Sequence, residues 1–442
     1  MNVAEYLVAA GMSESAADEK ALTFTDLAHH LPASRFAPMR WFVPGRIEVL
    51  GKHTDYAGGR SLLCAAERGF CVAAVPRTDS IVRINDIVRQ KTFEIVLSEE
   101  LEIPPLGWTV YPSVVARRLA RNFAGAARGA DIALASDLPS AAGMSSSSAL
   151  VIAIFAVLSA ANRLPQHAEY IASIRSPEDL AGYLGCIENG QSFKSLIGDG
   201  GVGTFGGSED HTAILASQPG HLKQYSFCPV RLERSVQMPE DCIFVVGASG
   251  VVADKTGAAR ERYNSASLGV RSILNIWKAA TGLHPPSLAA AATSTPDAPM
   301  QIREAIRHAT PDPVTRQRLL SRFDHFWLES EFIIPQAADM LARGDVTGLG
   351  RLVDQSQAAS EELLGNQVPE TITLAREARA LGALAASAFG AGFGGSVWAL
   401  VRKNDADNFL LRWQQAYQQS GHQAARDSVF FSTHAGPPLV QF

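Results

Sequence analysis

Three short segments, each built around glycine, lie far apart in this chain and constrain its fold more than any other feature. They are Pro44-Gly45-Arg46-Ile47-Glu48-Val49-Leu50-Gly51-Lys52-His53-Thr54-Asp55-Tyr56-Ala57-Gly58-Gly59, Leu138-Pro139-Ser140-Ala141-Ala142-Gly143-Met144-Ser145-Ser146-Ser147-Ser148-Ala149 and Gly390-Ala391-Gly392-Phe393-Gly394-Gly395-Ser396. A glycine/serine turn that opens a helix offers exposed N–H groups and a partial positive charge, which suit a phosphate. A loop that clusters Arg, His and Asp can grip hydroxyl groups. Together the segments imply ATP-dependent phosphorylation of a small polyol.

At 442 residues the chain exceeds one comfortable hydrophobic core. Two domains are expected, 1–220 and 221–442. Hydrophobic residues at 47% and charged residues at 19% exclude a largely disordered chain. The net charge is −5 and there is no dense Lys/Arg run, so nucleic acid is not an expected partner. Cys64, Cys71, Cys186, Cys228 and Cys242 are odd in number and form no Cys-x-x-Cys pair, against a disulfide framework or structural zinc. They are expected as buried thiols in a reducing compartment. The start, Met1-Asn2-Val3-Ala4-Glu5, does not read as a signal peptide. Apolar runs such as 149–161 fall short of the ~20 residues a membrane span needs. A soluble cytoplasmic protein with no membrane partner is expected, as a monomer or weak homo-oligomer.

Residues 1–34 read as a helical cap, and 40–43 as a strand running into the Pro44-Gly45 turn. Strands are expected at 71–75, 81–84, 93–97 and 131–135, and helices at 113–123, 146–162 and 177–193. A glycine-dense stretch, 198–207, would let a catalytic residue approach substrate closely. Beyond 220 the pattern predicts strands at 242–246, 396–401 and 428–431. Helices are expected at 256–280, 300–308, 317–343, 371–386 and 406–419.

In the middle segment Pro139 stops the preceding strand, Gly143 allows an unusual φ, and serines open an apolar helix. Such hydroxyls can bond phosphate oxygens or help hold Mg²⁺; a plain serine-capped helix is the alternative. The segment is neither a Walker loop nor a dinucleotide fingerprint, since it lacks Gly-Lys-Ser/Thr and Gly-x-Gly-x-x-Gly.

The residues as a set resemble the GHMP kinases, and 44–59 resembles the galactokinase signature in particular. Segments 138–149 and 390–396 resemble the second and third GHMP motifs. Gly207-Ser208-Glu209-Asp210-His211-Thr212-Ala213 resembles the galactokinase segment carrying the catalytic aspartate. Ala253-Asp254-Lys255-Thr256 through Tyr263-Asn264 resembles its tyrosine segment. The likeness runs from about residue 40 to the C-terminus. It implies an α+β fold: a ribosomal-S5-like N-terminal domain, a ferredoxin-like C-terminal domain and an active site between them.

The resemblance implies Asp210 as the carboxylate that orients or deprotonates the sugar hydroxyl, where the residues alone do not separate it from Glu209. Arg46 would keep Asp210 ionised or stabilise the alkoxide. Lys52, His53, Asp55 and Tyr263 would meet the sugar. Pro139, Gly143, Ser145, Ser146 and Ser147 would hold ATP, with Ser146 on Mg²⁺. Gly392, Gly394 and Gly395 would shape the floor. The chain departs from the family at Lys52, which stands where the family has Glu, and at Glu48, which stands where it has Asn. Ala141 and Ala142 replace frequent glycines. Lys52 either turns outward, leaving galactose as substrate, or pairs with a C6 carboxylate, making the substrate a uronic acid. The implied activity is a Mg²⁺/ATP-dependent sugar 1-kinase; alternatives are a uronic-acid or pentose kinase, a non-catalytic sugar/ATP sensor, or another GHMP kinase.

Overall fold

The computed structural model describes residues 1–140, 142–252 and 259–442. Ala141, the segment 253–256 and the expected helix start at Thr256 lie outside the described residues. In chain order the strands are β1 (Met39–Leu50), β2 (Arg60–Pro76), β3 (Ile81–Asp86), β4 (Lys91–Val96), β5 (Ala130–Ser136), β6 (His221–Ser226), β7 (Arg231–Gln237), β8 (Cys242–Ala248), β9 (Ala385–Phe389), β10 (Ser396–Arg402), β11 (Val429–Thr433) and β12 (Val440–Gln441). Among the described residues they form two sheets. The first runs β12-β1-β2-β5-β3-β4, with β6 on β2 and β7 on β6; the second runs β11-β8-β10-β9.

The first sheet is covered on both faces, so its central strands β1, β2 and β5 are buried along nearly their whole length, the charged residues Arg46, Glu48 and Glu67 included. Successive side chains alternate between faces. Phe42, Cys71, Ala73, Ala133 and Ala135 pack under the helix Glu14–His29 through Phe24 and Leu27. Their neighbours Trp41, Val43, Val72, Ile132 and Leu134 face the helices Val110–Asn122 and Ser146–Asn162. This second core continues into the other half of the chain through Phe244, Val246, Trp398, Leu400 and Phe431. The opposite face of the second sheet, with Val245, Val397 and Ala399, packs on Leu374, Phe409 and Trp413. A further apolar cluster joins the helices Ala259–Thr281, Ala298–Ala309 and Pro313–Trp327 over Ala57, near the end of the first motif.

The mixed α+β architecture is as expected, but several elements differ. Pro44-Gly45 is not a turn. β1 runs through it to Leu50, absorbing it with register shifts between Pro44 and Arg46 and between Glu48 and Leu50. Asp210 sits in the first turn of a helix, Glu209–Ala216, that was not among the expected elements. The helix expected to 386 ends at Ala380, and Ala385–Phe389 is β9. Cys228 is exposed, unlike the buried thiol expected there; all five thiols are free. The division expected at 220 precedes the hairpin β6–β7, which still belongs to the first sheet, and β12 returns to β1. No helix among the described residues is long and apolar enough to cross a membrane.

Candidate active site

β1 delivers Arg46 to the place where the three motifs converge. Its backbone N–H donates to Met144 O at 3.3 Å. The guanidinium donates to Asp210 Oδ1 through Nε at 2.8 Å, lies 2.7 Å from the same oxygen through Nη2, and donates to Gly143 O through Nη1 at 2.5 Å. Burial alone would lower the basicity of this guanidinium. The carboxylates of Asp210, Glu48 and Glu209 outweigh that effect and hold it above its ordinary value. The remaining oxygen of Asp210 accepts from Ser148 Oγ at 3.3 Å. Glu209, the rival acid, has a different partner and accepts from Ser61 Oγ at 2.7 Å.

Arg46 and Asp210 border a cavity that is also lined by Glu48, His53, Asp55, Glu188, Glu209 and Tyr263. Asp55 is positioned by the backbone N–H groups of Tyr56 (2.8 Å) and Glu209 (3.1 Å). A Cβ on Gly207 would lie 2.3 Å from Asp55 Oδ2, so glycine there admits the carboxylate. His53 has a left-handed φ of 58°. Its Nδ1 pairs with Tyr56 Oη at 2.8 Å and its Nε2 with Ala391 O at 2.9 Å. Its ring lies 5.2 Å from that of Tyr263.

Lys52 does not reach this cavity, and it adopts neither orientation weighed from sequence. It is fully buried, with Nζ donating to Ser387 Oγ (2.9 Å) and Ser356 Oγ (3.2 Å). Ser356 Oγ in turn donates to Glu329 Oε1, which also accepts from Gly51 N–H, each at 2.9 Å. The cation belongs to a polar network joining the first motif to the C-terminal helices.

The serine turn fits a ligand better than a simple cap. Ser145 stands at the N-cap of Ser146–Asn162 in a left-handed conformation and makes no side-chain cap bond. Its hydroxyl is buried without a partner. Pro139 leads into this turn and Ser146 and Ser147 open the helix, half-buried. The third motif backs onto the turn: Ser396 Oγ donates to Ala142 O at 2.6 Å, and a Cβ on Gly390 would lie 2.7 Å from Gly143 O. Gly392 and Gly394 abut the carbonyls of Asn366 and Val251, and Gly395 the backbone of Ala142.

Two residues not singled out from sequence also belong here. Ser148 Oγ lies 2.9 Å from Glu188 Oε2, and His211 Nε2 lies 3.3 Å from the same oxygen. Ser148 was legible as the fourth serine of the run. Glu188 lies at the end of Pro177–Asn189, outside every segment with a motif, and nothing local marks it.

Family models match in three places: the galactokinase galactose-binding signature at 33–76, the GHMP kinases N terminal domain at 110–185 and the GHMP kinases C terminal at 337–419. The chain therefore carries both GHMP kinase domains, N terminal and C terminal. A galactokinase of Roseiflexus sp. is 28% identical over 85% of this chain and 87% of its own. One from Streptomyces coelicolor is 26% identical, covering 87% and 90%. Among solved structures, Lactococcus lactis galactokinase complexed with galactose superposes with a TM-score of 0.75 at 21% identity, over 95% of this chain and 99% of its own. The mevalonate kinase of Methanococcus jannaschii gives 0.54 at 12% identity, covering 91% and 99%. The resemblance drawn from the motifs is thereby borne out, and galactokinases are among the relatives that span most of this chain.

Proposed function

We propose that this GHMP kinase is an ATP-dependent sugar 1-kinase of the galactokinase type, acting on galactose or a related neutral sugar. The observation that carries the reading is the Arg46–Asp210 pair, set between the serine turn and a polar cavity. Phosphoryl transfer asks little covalent chemistry of a protein; it needs positioning and charge stabilisation. Asp210 would accept or orient the proton of the anomeric hydroxyl as its oxygen attacks the γ-phosphorus and ADP leaves. Arg46 would keep Asp210 ionised and stabilise the developing alkoxide. Asp55 would fix sugar hydroxyls, with His53 and Tyr263 forming the adjoining wall.

The serine turn suits the phosphates, since the orphaned Ser145 hydroxyl and the helix N-terminus both supply donors. Mg²⁺ is held mostly by phosphate oxygens and needs only one or two protein ligands. Ser146 and Glu188 offer hard oxygens of the right kind; bound there, the ion would neutralise charge on the phosphates. Among the described residues no cluster of three His, Cys, Asp or Glu suggests a metal site independent of nucleotide.

Lys52 gives no support to the uronic-acid alternative, because its charge is spent on serine hydroxyls. Glu48, Asp55, Glu188, Glu209 and Asp210 line the cavity and disfavour an anionic acceptor. The test is turnover of the purified protein with ATP on a panel of hexoses, pentoses and uronic acids. Phosphorylation of a neutral sugar is expected; ADP release on none of them would favour the sensor reading. Asp210→Asn is expected to lower kcat by about 10²–10⁴-fold with nucleotide binding retained. Near-normal turnover would reject its role.

A further inference from the structure

Beside the Arg46–Asp210 pair lies a second, less usual one. Glu48 follows Arg46 by two positions on β1, and Glu209 precedes Asp210 at the helix start. Both side chains are buried, at 3% and 5% exposure. Glu48 Oε2 accepts from Gly390 N–H at 3.3 Å and lies 3.9 Å from Arg46 Nη2. Glu209 Oε2 has the Ser61 hydroxyl. The other oxygen of each, Oε1, is buried with no donor in reach. Yet both carboxyl groups line the same cavity against Arg46, close enough for each to act on the other. Two facing carboxylates cannot both ionise at such range without heavy cost, and two orphaned acceptors lack one donor. A single proton supplies it.

We propose that Glu48 and Glu209 share one proton, and that this proton keeps the Arg46 guanidinium committed to Asp210. The surrounding charges are consistent with it. Arg46, Lys52 and Asp210 act on Glu48, while Arg46, Asp55 and Asp210 act on Glu209. Four carboxylates thus face two cations, one of which already serves Asp210. Burial pushes Glu48 up to about 7 against the pull of Arg46 and Lys52. Burial and the charges of Glu48 and Asp55 raise Glu209 well above the ordinary carboxylate range. If the proton leaves, a full charge on Glu48 competes for the guanidinium at 3.9 Å and loosens the clasp on Asp210. Glu48 and Glu209 are therefore positioning residues that act through Arg46. This functional half rests on the kinase reading; the proton does not.

The test separates the two. Infrared spectroscopy of the intact, ligand-free protein from roughly pH 5 to pH 9, above the ordinary carboxylate range, reads the carbonyl band of a protonated carboxyl, distinct from ionised carboxylate. The band is expected to be present at neutral pH, to be lost on the alkaline side, and to be missing in Glu48→Gln and Glu209→Gln. Its absence from the wild-type protein near neutrality overturns the shared proton, with no variant needed and whether or not any sugar is phosphorylated. For the role, kcat/KM of the wild type is expected to fall by about tenfold on the alkaline side. Glu48→Gln, whose amide replaces the proton as donor, should hold its rate there within about twofold, while Glu48→Ala should be impaired at every pH. A Glu48→Gln profile that declines like the wild type overturns the coupling to Arg46.

Discussion

Lys52 brings a full charge to a position with no solvent exposure, and its neighbours there are hydroxyls. A lysine is tolerated in such a place only when its donors are used, since burying an unpaired charge is costly. Here the ammonium donates to Ser387 and Ser356, and Ser356 relays the contact to Glu329. Lys52→Met therefore separates two readings of the first motif. If the lysine met substrate, KM for the sugar would rise by an order of magnitude or more. The network predicts instead that KM stays within about twofold while stability drops by about 1–3 kcal/mol, from hydroxyls and a carboxylate left short of a partner. Steady-state kinetics beside a urea unfolding curve decide it. Which way this side chain turned was not legible in sequence: its partners lie about three hundred residues downstream, Ser356 at a separation of 304 and Ser387 at 335.

At the scale of elements, a glycine just ahead of the helix that carries Asp210 governs the placement of Asp55. Gly207 immediately precedes Ser208 and the helix Glu209–Ala216, and it leaves room for Asp55. Gly207→Ala would put a methyl group 2.3 Å from Asp55 Oδ2, with the backbone of Tyr56 at 3.0 Å behind it. The carboxylate must move. Because Glu209 N–H also holds Asp55, the displacement reaches the helix start. The expected result is a sugar KM raised at least about tenfold, with about 1–3 kcal/mol lost to overpacking. Unchanged KM would mean Asp55 is not needed where it stands. The convergence of the three motifs was legible, because each pairs a turn-forming glycine with side chains of one chemistry. The strand through Pro44-Gly45 was not, because proline-glycine is a turn signal and only bulged pairing with β2 keeps it in the sheet. β7 was also hidden: its burial pattern is exposed at all but one position, so no alternation marks it. The helix that carries Asp210 was not among the expected elements, because it is short and held by contacts with β1 and β2 that no local pattern encodes.

For the whole molecule, one carboxylate ties parts of the chain that are remote in sequence. Glu67 sits mid-strand in β2, buried. Its Oε1 accepts from Ser13 N–H at 2.6 Å, ahead of the N-terminal helix, and its Oε2 from His434 N–H at 3.2 Å, just past β11. His434 Nδ1 lies 3.0 Å from the same oxygen. The N-terminal cap, the first sheet and the end of the second sheet thus meet on one side chain. Burial opposes its ionisation, but the hydrogen bonds from His434 and Ser13 prevail and hold it at about 2, below its ordinary 4.5. A carboxylate with a lowered value binds fewer protons folded than unfolded, so stability rises with pH across that interval. Its contribution is complete above about 4.5 and is lost as pH falls toward 2. Glu67→Gln keeps the shape and removes the charge. It should cost about 1.5–3 kcal/mol at neutral pH, where charge-assisted bonds are lost, and progressively less below pH 4.5. Urea midpoints of the two proteins at neutral pH and near pH 3 (roughly mid-interval) measure this. A gap that stays constant on acidification would show that packing around residue 67, rather than its charge, joins the two sheets.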